Sequence, residues 1–160
     1  MAKISYDTEV VTLSGEKGDL SDYEGKVMLV VNTASHCGLT PHFKGLEKLH
    51  QEYQGQGLAV LGFPSNSFMQ EEAETSAISD VCHINYGVTF DMFAKTPVNG
   101  SATHPLFTQL KKGARGFGGT TPITWNFTKF LVGRDGTIIK RFGSRTNPAD
   151  IAPEIEKALK

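Results

Sequence analysis

The apolar positions of the chain form two kinds of pattern. Residues 26–32 and 58–63 are continuous β-branched and apolar runs. Runs without a polar face predict strands buried on both sides. Between them, Phe43, Leu46, Leu49 and Tyr53 recur at spacings of three, three and four, which is one helical stripe. Thr40 suits the N-cap of that helix, Pro41 its first position, and Gly55 or Gly57 its end. Strand, helix, strand predicts a parallel pair joined by a right-handed crossover.

A second helix is predicted over 76–86, where Ile78, Val81, Cys82 and Tyr86 share a face and Gly87 follows. A third is predicted over 103–112, with Leu106, Phe107 and Leu110 inward. The glycine-dense stretch 113–119 reads as a flexible loop. Two apolar runs, 130–132 and 137–142, flank Arg134-Asp135-Gly136, a strong antiparallel hairpin signal. Asn147-Pro148 opens a last helix carrying Ile151, Ile155 and Leu159, and Pro153 inside it predicts an irregular first turn. Residues 1–25 are expected to add an edge hairpin. A βαβ unit followed by helices and a ββα unit resembles the layout of an α/β thioredoxin-like fold, with a central mixed sheet flanked by helices on both faces.

Composition narrows the classes. The 160 residues amount to one domain, expected to span 1–160. A chain of this size buries roughly 70% of its unfolded surface and needs neither disulfide nor metal to fold. The net charge is −1, without the electrostatic footprint of a nucleic-acid binder. The longest apolar run has five residues, Val27 to Val31, where a membrane helix needs about 20. No basic-then-apolar leader pattern opens the chain, so a cytoplasmic location is expected.

Two cysteines remain, Cys37 and Cys82. In a reducing compartment such a pair is more often catalytic, redox-active or simply buried than structural. Cys37 follows a buried strand and precedes a helix start. In parallel α/β sheets, ligands bind at the carboxyl edge of the strands. A helix N-terminus favours thiolate over thiol, lowering the pKa from its usual value of about 8.5. Its neighbours Ser35, His36 and Gly38 do not look like core. The second thiol of a Cys-x-x-Cys pair is absent, since position 40 is Thr. His36-Cys37 with Cys82-His83 has no usual zinc spacing, and no local signature marks a Cys–His hydrolase. No metal or cofactor is expected.

Residues Asn32-Thr33-Ala34-Ser35-His36-Cys37-Gly38-Leu39-Thr40 strongly resemble the peroxidatic segment of the glutathione peroxidase family. Gly62-Phe63-Pro64-Ser65-Asn66-Ser67-Phe68 and Trp125-Asn126-Phe127-Thr128-Lys129-Phe130 resemble two further motifs of that family. Shorter matches lie at Tyr86 to Phe90, Val98 to Gly100 and His104 to Leu106, and the resemblance runs from about Leu20 to the C-terminus. It implies a thioredoxin fold and a site made of a peroxidatic Cys, a Gln, a Trp and an Asn. Cys37, Trp125 and Asn126 match directly. For the Gln, counting forward from Phe68 gives Glu71, and counting back from Ile78 and Cys82 gives Gln70. Gln70 is preferred because it keeps the Gln-Glu pair. A carboxylate at that place would raise the thiol pKa.

The donors make chemical sense. Indole Nε1 only donates, and an amide offers two N–H groups. Donors around sulfur stabilise thiolate and meet the charge that moves onto the departing oxygen. Without the motif, Trp125 would read as a core aromatic and Asn126 as a turn residue. By position Cys82 is a buried Cys on a helix face. The resemblance implies that it is the resolving Cys of the thioredoxin-using branch, in Cys82-His83-Ile84-Asn85-Tyr86, with Ser65 where another cysteine often stands. Glutathione-using tetramers of the family carry an extra segment before the Trp-Asn motif. Residues 113–123 are short here, so a monomer reduced by thioredoxin is expected. Glutathione as reductant, or a redox sensor without turnover, is the alternative. The expected substrates are hydrogen peroxide and organic hydroperoxides.

Overall fold

The computed structural model describes residues 2–34, 41–65 and 87–160. Two short strands, β1 (Val10–Val11) and β2 (Lys17–Gly18), pair antiparallel. The main sheet is built from β3 (Val27–Thr33), β4 (Leu58–Pro64), β5 (Asp91–Met92), β6 (Lys129–Val132) and β7 (Ile138–Phe142). Its order is β5-β4-β3-β6-β7. β3, β4 and β5 run parallel, whereas β6 is antiparallel to β3 and β7.

All seven residues of β3 and of β4 are buried, as their apolar runs require. Side chains alternate along β3 and divide the interior in two. Val27, Leu29 and Val31 pack with Phe43, Leu46 and Leu49 of helix α1 (His42–Tyr53) and with Ile155 of helix α3 (Ala152–Leu159). Met28 and Val30 face Leu106, Phe107 and Leu110 of helix α2 (Pro105–Gly113). Each buried Val or Leu side chain adds about 1.5–3 kcal/mol from apolar burial. Helices therefore cover both faces of a mixed sheet, as expected.

The end of the sheet away from the carboxyl edge of β3 is tied by one side chain. Arg134, in the β6–β7 turn, donates to the carbonyls of Gly25, Gln56 and Leu159 at 2.9, 2.8 and 3.0 Å. Gly136 in that turn has φ 85°, which explains the Asp-Gly signal.

Several boundaries differ from the pattern. The N-terminal hairpin is a sheet of its own, joined to the β5 region by one antiparallel bridge, Thr12 to Phe93. The third predicted helix starts at Pro105 and not at residue 103. His104 caps it, with Nδ1 accepting from the Leu106 amide at 3.1 Å, and Pro105 takes a first-turn position where no N–H is needed. The chain after α1 makes a 3₁₀ turn over Gln54–Gln56 and stops at Gly57, whose φ is 107°, not at Gly55. Residues 113–119 include a 3₁₀ turn, Phe117–Gly119, with the Gly116 amide donating to the Thr120 carbonyl at 2.7 Å. Ahead of α3 lies the irregular turn, a 3₁₀ stretch over Pro148–Ile151. The Thr40 cap and the helix predicted over 76–86 lie outside the described residues.

Strand β5 was not legible in the pattern, because two residues carry no periodicity. Gly62 of β4 admits it. A Cβ at Gly62 would stand 2.5 Å from Met92 Sδ and 3.2 Å from Phe90 Cε1. Gly62→Val should therefore destabilise the protein by about 1–3 kcal/mol through overpacking. Urea denaturation measures this, and an unchanged midpoint would contradict the packing described.

Candidate active site

The parallel strands β3 and β4 end side by side, with Thr33 paired to Pro64. The Ser65 amide donates to the Thr33 carbonyl at 3.0 Å, and Ser65 is fully buried. β6 runs the other way, and its first residue, Lys129, pairs with Val31. The Trp125–Thr128 stretch thus arrives at the same edge where β3 and β4 finish. Three of the sequence motifs converge there: the chain leading to Cys37, the chain after Phe63-Pro64, and the Trp-Asn turn.

Asn32 joins the turn to the sheet. Its Nδ2 donates to the Trp125 carbonyl at 3.2 Å, and its Oδ1 accepts from the Thr128 amide at 3.0 Å. Its own carbonyl accepts from the Phe127 amide at 2.6 Å. Thr128 Oγ1 also donates to the Trp125 carbonyl, at 3.0 Å. The turn is so tight that Phe127 has φ 61°, the only positive value outside glycine among the described residues. A bulky residue in the left-handed region is held there by its surroundings. The Phe127 ring is buried edge-on against Phe43, with centroids 5.1 Å apart, and tilted against His42 at 5.8 Å.

This geometry separates the two predicted donors. Trp125 is 38% exposed and Asn126 is completely buried. The indole is presented at the sheet edge and is not a core aromatic. Cys37, Gln70 and Cys82, like His36 and Glu71, lie outside the described residues.

Beneath the turn sits a cation. Lys129 is fully buried, and its Nζ lies 2.8 Å from the Thr146 carbonyl, 3.0 Å from that of Ser144 and 3.0 Å from His42 Nδ1. Burial pushes Lys129 down to about 7. His42, at the start of α1, is pushed down to about 4, by burial first and by the Lys129 charge second. Beside the turn, a cavity of 620 Å³ is lined by Arg115, Pro122, Thr124, Thr128 and Arg141 among others. Arg141 holds the loop on its far side through the carbonyls of Ala114, Thr121 and Pro122. None of the described residues forms a cluster able to hold a metal ion.

Asn32, His42 and Lys129 were not singled out as site residues by sequence reasoning. The available signals were a polar residue ending an apolar strand and a lysine inside an apolar one.

Residues 5–111 match the glutathione peroxidase family. The chain belongs to the glutathione peroxidase family. A glutathione peroxidase of Lactococcus lactis subsp. cremoris is 53% identical over 96% of this chain and 98% of its own length. The hydroperoxy fatty acid reductase of Synechocystis is 47% identical over 96% of this chain and 95% of its own. Among solved structures, the apo form of Trgpx superposes with a TM-score of 0.80 at 40% identity, covering 96% of this chain and 94% of that one. A thiol:disulfide interchange protein of the thioredoxin family from Chlorobium tepidum, at 16% identity and a TM-score of 0.73, covers 100% of this chain and 98% of its own, and shares the fold. The expected family and the thioredoxin-like fold are thus borne out, and the protein is a thiol peroxidase of the glutathione peroxidase family. Among the described residues, no helix is long and apolar enough to cross a membrane.

The Asn32 side chain can be tested directly in this peroxidase. Asn32→Leu removes both side-chain bonds and leaves the buried Thr128 amide without its partner, which should cost about 1–3 kcal/mol. A loss below about 0.5 kcal/mol in urea denaturation, the size of an ordinary surface change, would contradict the role given to it.

Proposed function

We propose that the chain, acting as one domain, reduces hydrogen peroxide and organic hydroperoxides through Cys37 and is recycled by thioredoxin. The observation that carries this reading is the placement of exposed Trp125 and buried Asn126 on one rigid turn. That turn lies at the edge where β3 ends, just before the Cys37 segment. In this reading the N–H groups of Trp125, Asn126 and Gln70 hold the thiolate and the peroxide oxygens.

The thiolate of Cys37 attacks one peroxide oxygen. The O–O bond breaks, sulfur is oxidised to sulfenic acid, and the other oxygen leaves as water or an alcohol after taking a proton. The Cys82 thiol then displaces water from the sulfenic acid and forms a disulfide. A dithiol reductant restores both thiols by exchange. Thioredoxin is favoured over glutathione because Cys82 supplies an internal partner and residues 113–123 are short. The cavity lined by Thr124 and Thr128 gives room for an organic tail, and a relative named for hydroperoxy fatty acids fits that use. The protein works as a monomer in the cytoplasm.

Cys37→Ser should keep the fold and lose essentially all peroxidase activity, because serine is a far weaker nucleophile at neutral pH. Cys82→Ser should consume one equivalent of peroxide and then stall with thioredoxin as a sulfenic acid. NADPH-coupled turnover and mass spectrometry read both. Retained turnover in either variant would reject its role, and a single wild-type turnover with both thioredoxin and glutathione would indicate a sensor.

Gln70→Ala should slow peroxide reduction about 10²–10³-fold, the effect of losing one transition-state donor, while Glu71→Ala should do little. The opposite ranking in single-turnover rates would move the site amide's position to residue 71.

A further inference from the structure

Lys129 is the only fully buried ionisable side chain among the described residues. The described residues offer it no carboxylate partner. A buried ammonium without a counter-charge is costly unless its donors are all used. Here they are: three N–H groups meet three acceptors, the carbonyls of Ser144 and Thr146 and His42 Nδ1, and the Gly143 carbonyl stands behind at 3.5 Å. The acceptors come from two separate elements, the start of α1 and the loop after β7. Lys129 itself lies on the strand that continues from Trp125 and Asn126.

We propose that Lys129 is a positioning residue for the peroxidase reaction, its ammonium holding the Trp125–Asn126 turn, the start of α1 and the 143–146 loop in one arrangement. The kinetic part of this proposal rests on Cys37 as the nucleophile; the structural part does not. α1 follows directly on the Cys37 segment, so its first residue fixes where that segment ends. The loop is joined to the turn a second time, through Thr128 Oγ1 and Ser144 Oγ at 3.4 Å.

The clamp is sensitive to pH. Among the described residues, the groups facing Nζ are His42 from α1 and main-chain carbonyls from the loop. On the flanking strands, the residues paired with Lys129 are Val31 and Phe142, both apolar. Burial pushes Lys129 down to about 7, so the ammonium prevails below neutrality and is lost as pH rises through that value. A neutral amine has two donors and one lone pair, so one of the three contacts is lost or reverses its direction. His42 stays neutral throughout that range, since it is pushed down to about 4, and its tautomer sets whether Nδ1 accepts from Nζ or donates to it.

NMR of the reduced wild-type protein, titrated across about two pH units on either side of neutrality, tests this without any substitution. The Lys129 side chain should titrate near neutrality, and the Trp125 indole N–H and the Ser144 and Thr146 amides should shift with the same midpoint. In parallel, the rate of peroxide reduction, corrected for thiolate fraction, should fall above that midpoint. Lys129→Met should be slower by about 10–10²-fold, the cost of a small misplacement of reacting groups. Indole and amide signals that do not follow the Lys129 titration would overturn the proposal. So would a folded Lys129→Met with an undiminished rate. If that variant does not fold, the wild-type titration decides. A wild-type protein inert to peroxide would reject the Cys37 reading instead, and the NMR titration would still decide the positioning role.

Discussion

The site depends on the way Asn32 fastens a four-residue turn to the end of a buried strand. A strand with Asn as its penultimate residue can offer both an amide donor and an acceptor in the interior, and the Trp125–Thr128 turn takes both. The turn is forced through a left-handed Phe127, which costs of order 1–3 kcal/mol. Burial of the Phe127 ring against Phe43 compensates for that strain. One bulky side chain thus serves as an anchor, and its neighbour Trp125 is left facing outward.

The rest of the architecture serves to hold that edge still. β3 is buried on both faces between α1 and α2, so its carboxyl end has little freedom. The parallel partner β4 ends beside it, and antiparallel β6 brings the Trp-Asn motif back to the same place. A mixed sheet is what allows this: an all-parallel sheet would start its next strand at the opposite edge. Preorganised donors of this kind need no rearrangement when charge moves during the reaction.

Much of this was legible in the sequence, for identifiable reasons. β3, β4 and α1 were readable because unbroken apolar runs and a three-four stripe leave few alternatives. The β6–β7 hairpin was readable because Asp135-Gly136 suits a tight turn. β5 was not, because two residues, one of them Asp91, carry no pattern and depend on the space left by Gly62. The α2 start was misplaced by two residues because a histidine ring took the capping role usually given to Thr. At the site, Trp125 and Asn126 were identifiable only through the motif, since composition makes one a core aromatic and the other a turn residue. Asn32 and Lys129 escaped because their roles arise from long-range contacts, with partners 93 and 17 residues away. Cys37 was legible from its place between a buried strand and a helix start, the resemblance supplied Gln70 and the resolving role of Cys82, and all three lie outside the described residues.

In the proposed mechanism, Trp125 stands beside a thiolate that peroxide oxidises. Stopped-flow fluorescence of the reduced protein reads it directly, because Trp125 is the chain's single tryptophan. On mixing with hydrogen peroxide, the emission should change with a rate linear in peroxide concentration. The amplitude should saturate at one equivalent, and thioredoxin should restore the initial signal. An emission that does not respond to peroxide in a protein whose cysteines become oxidised would contradict the account.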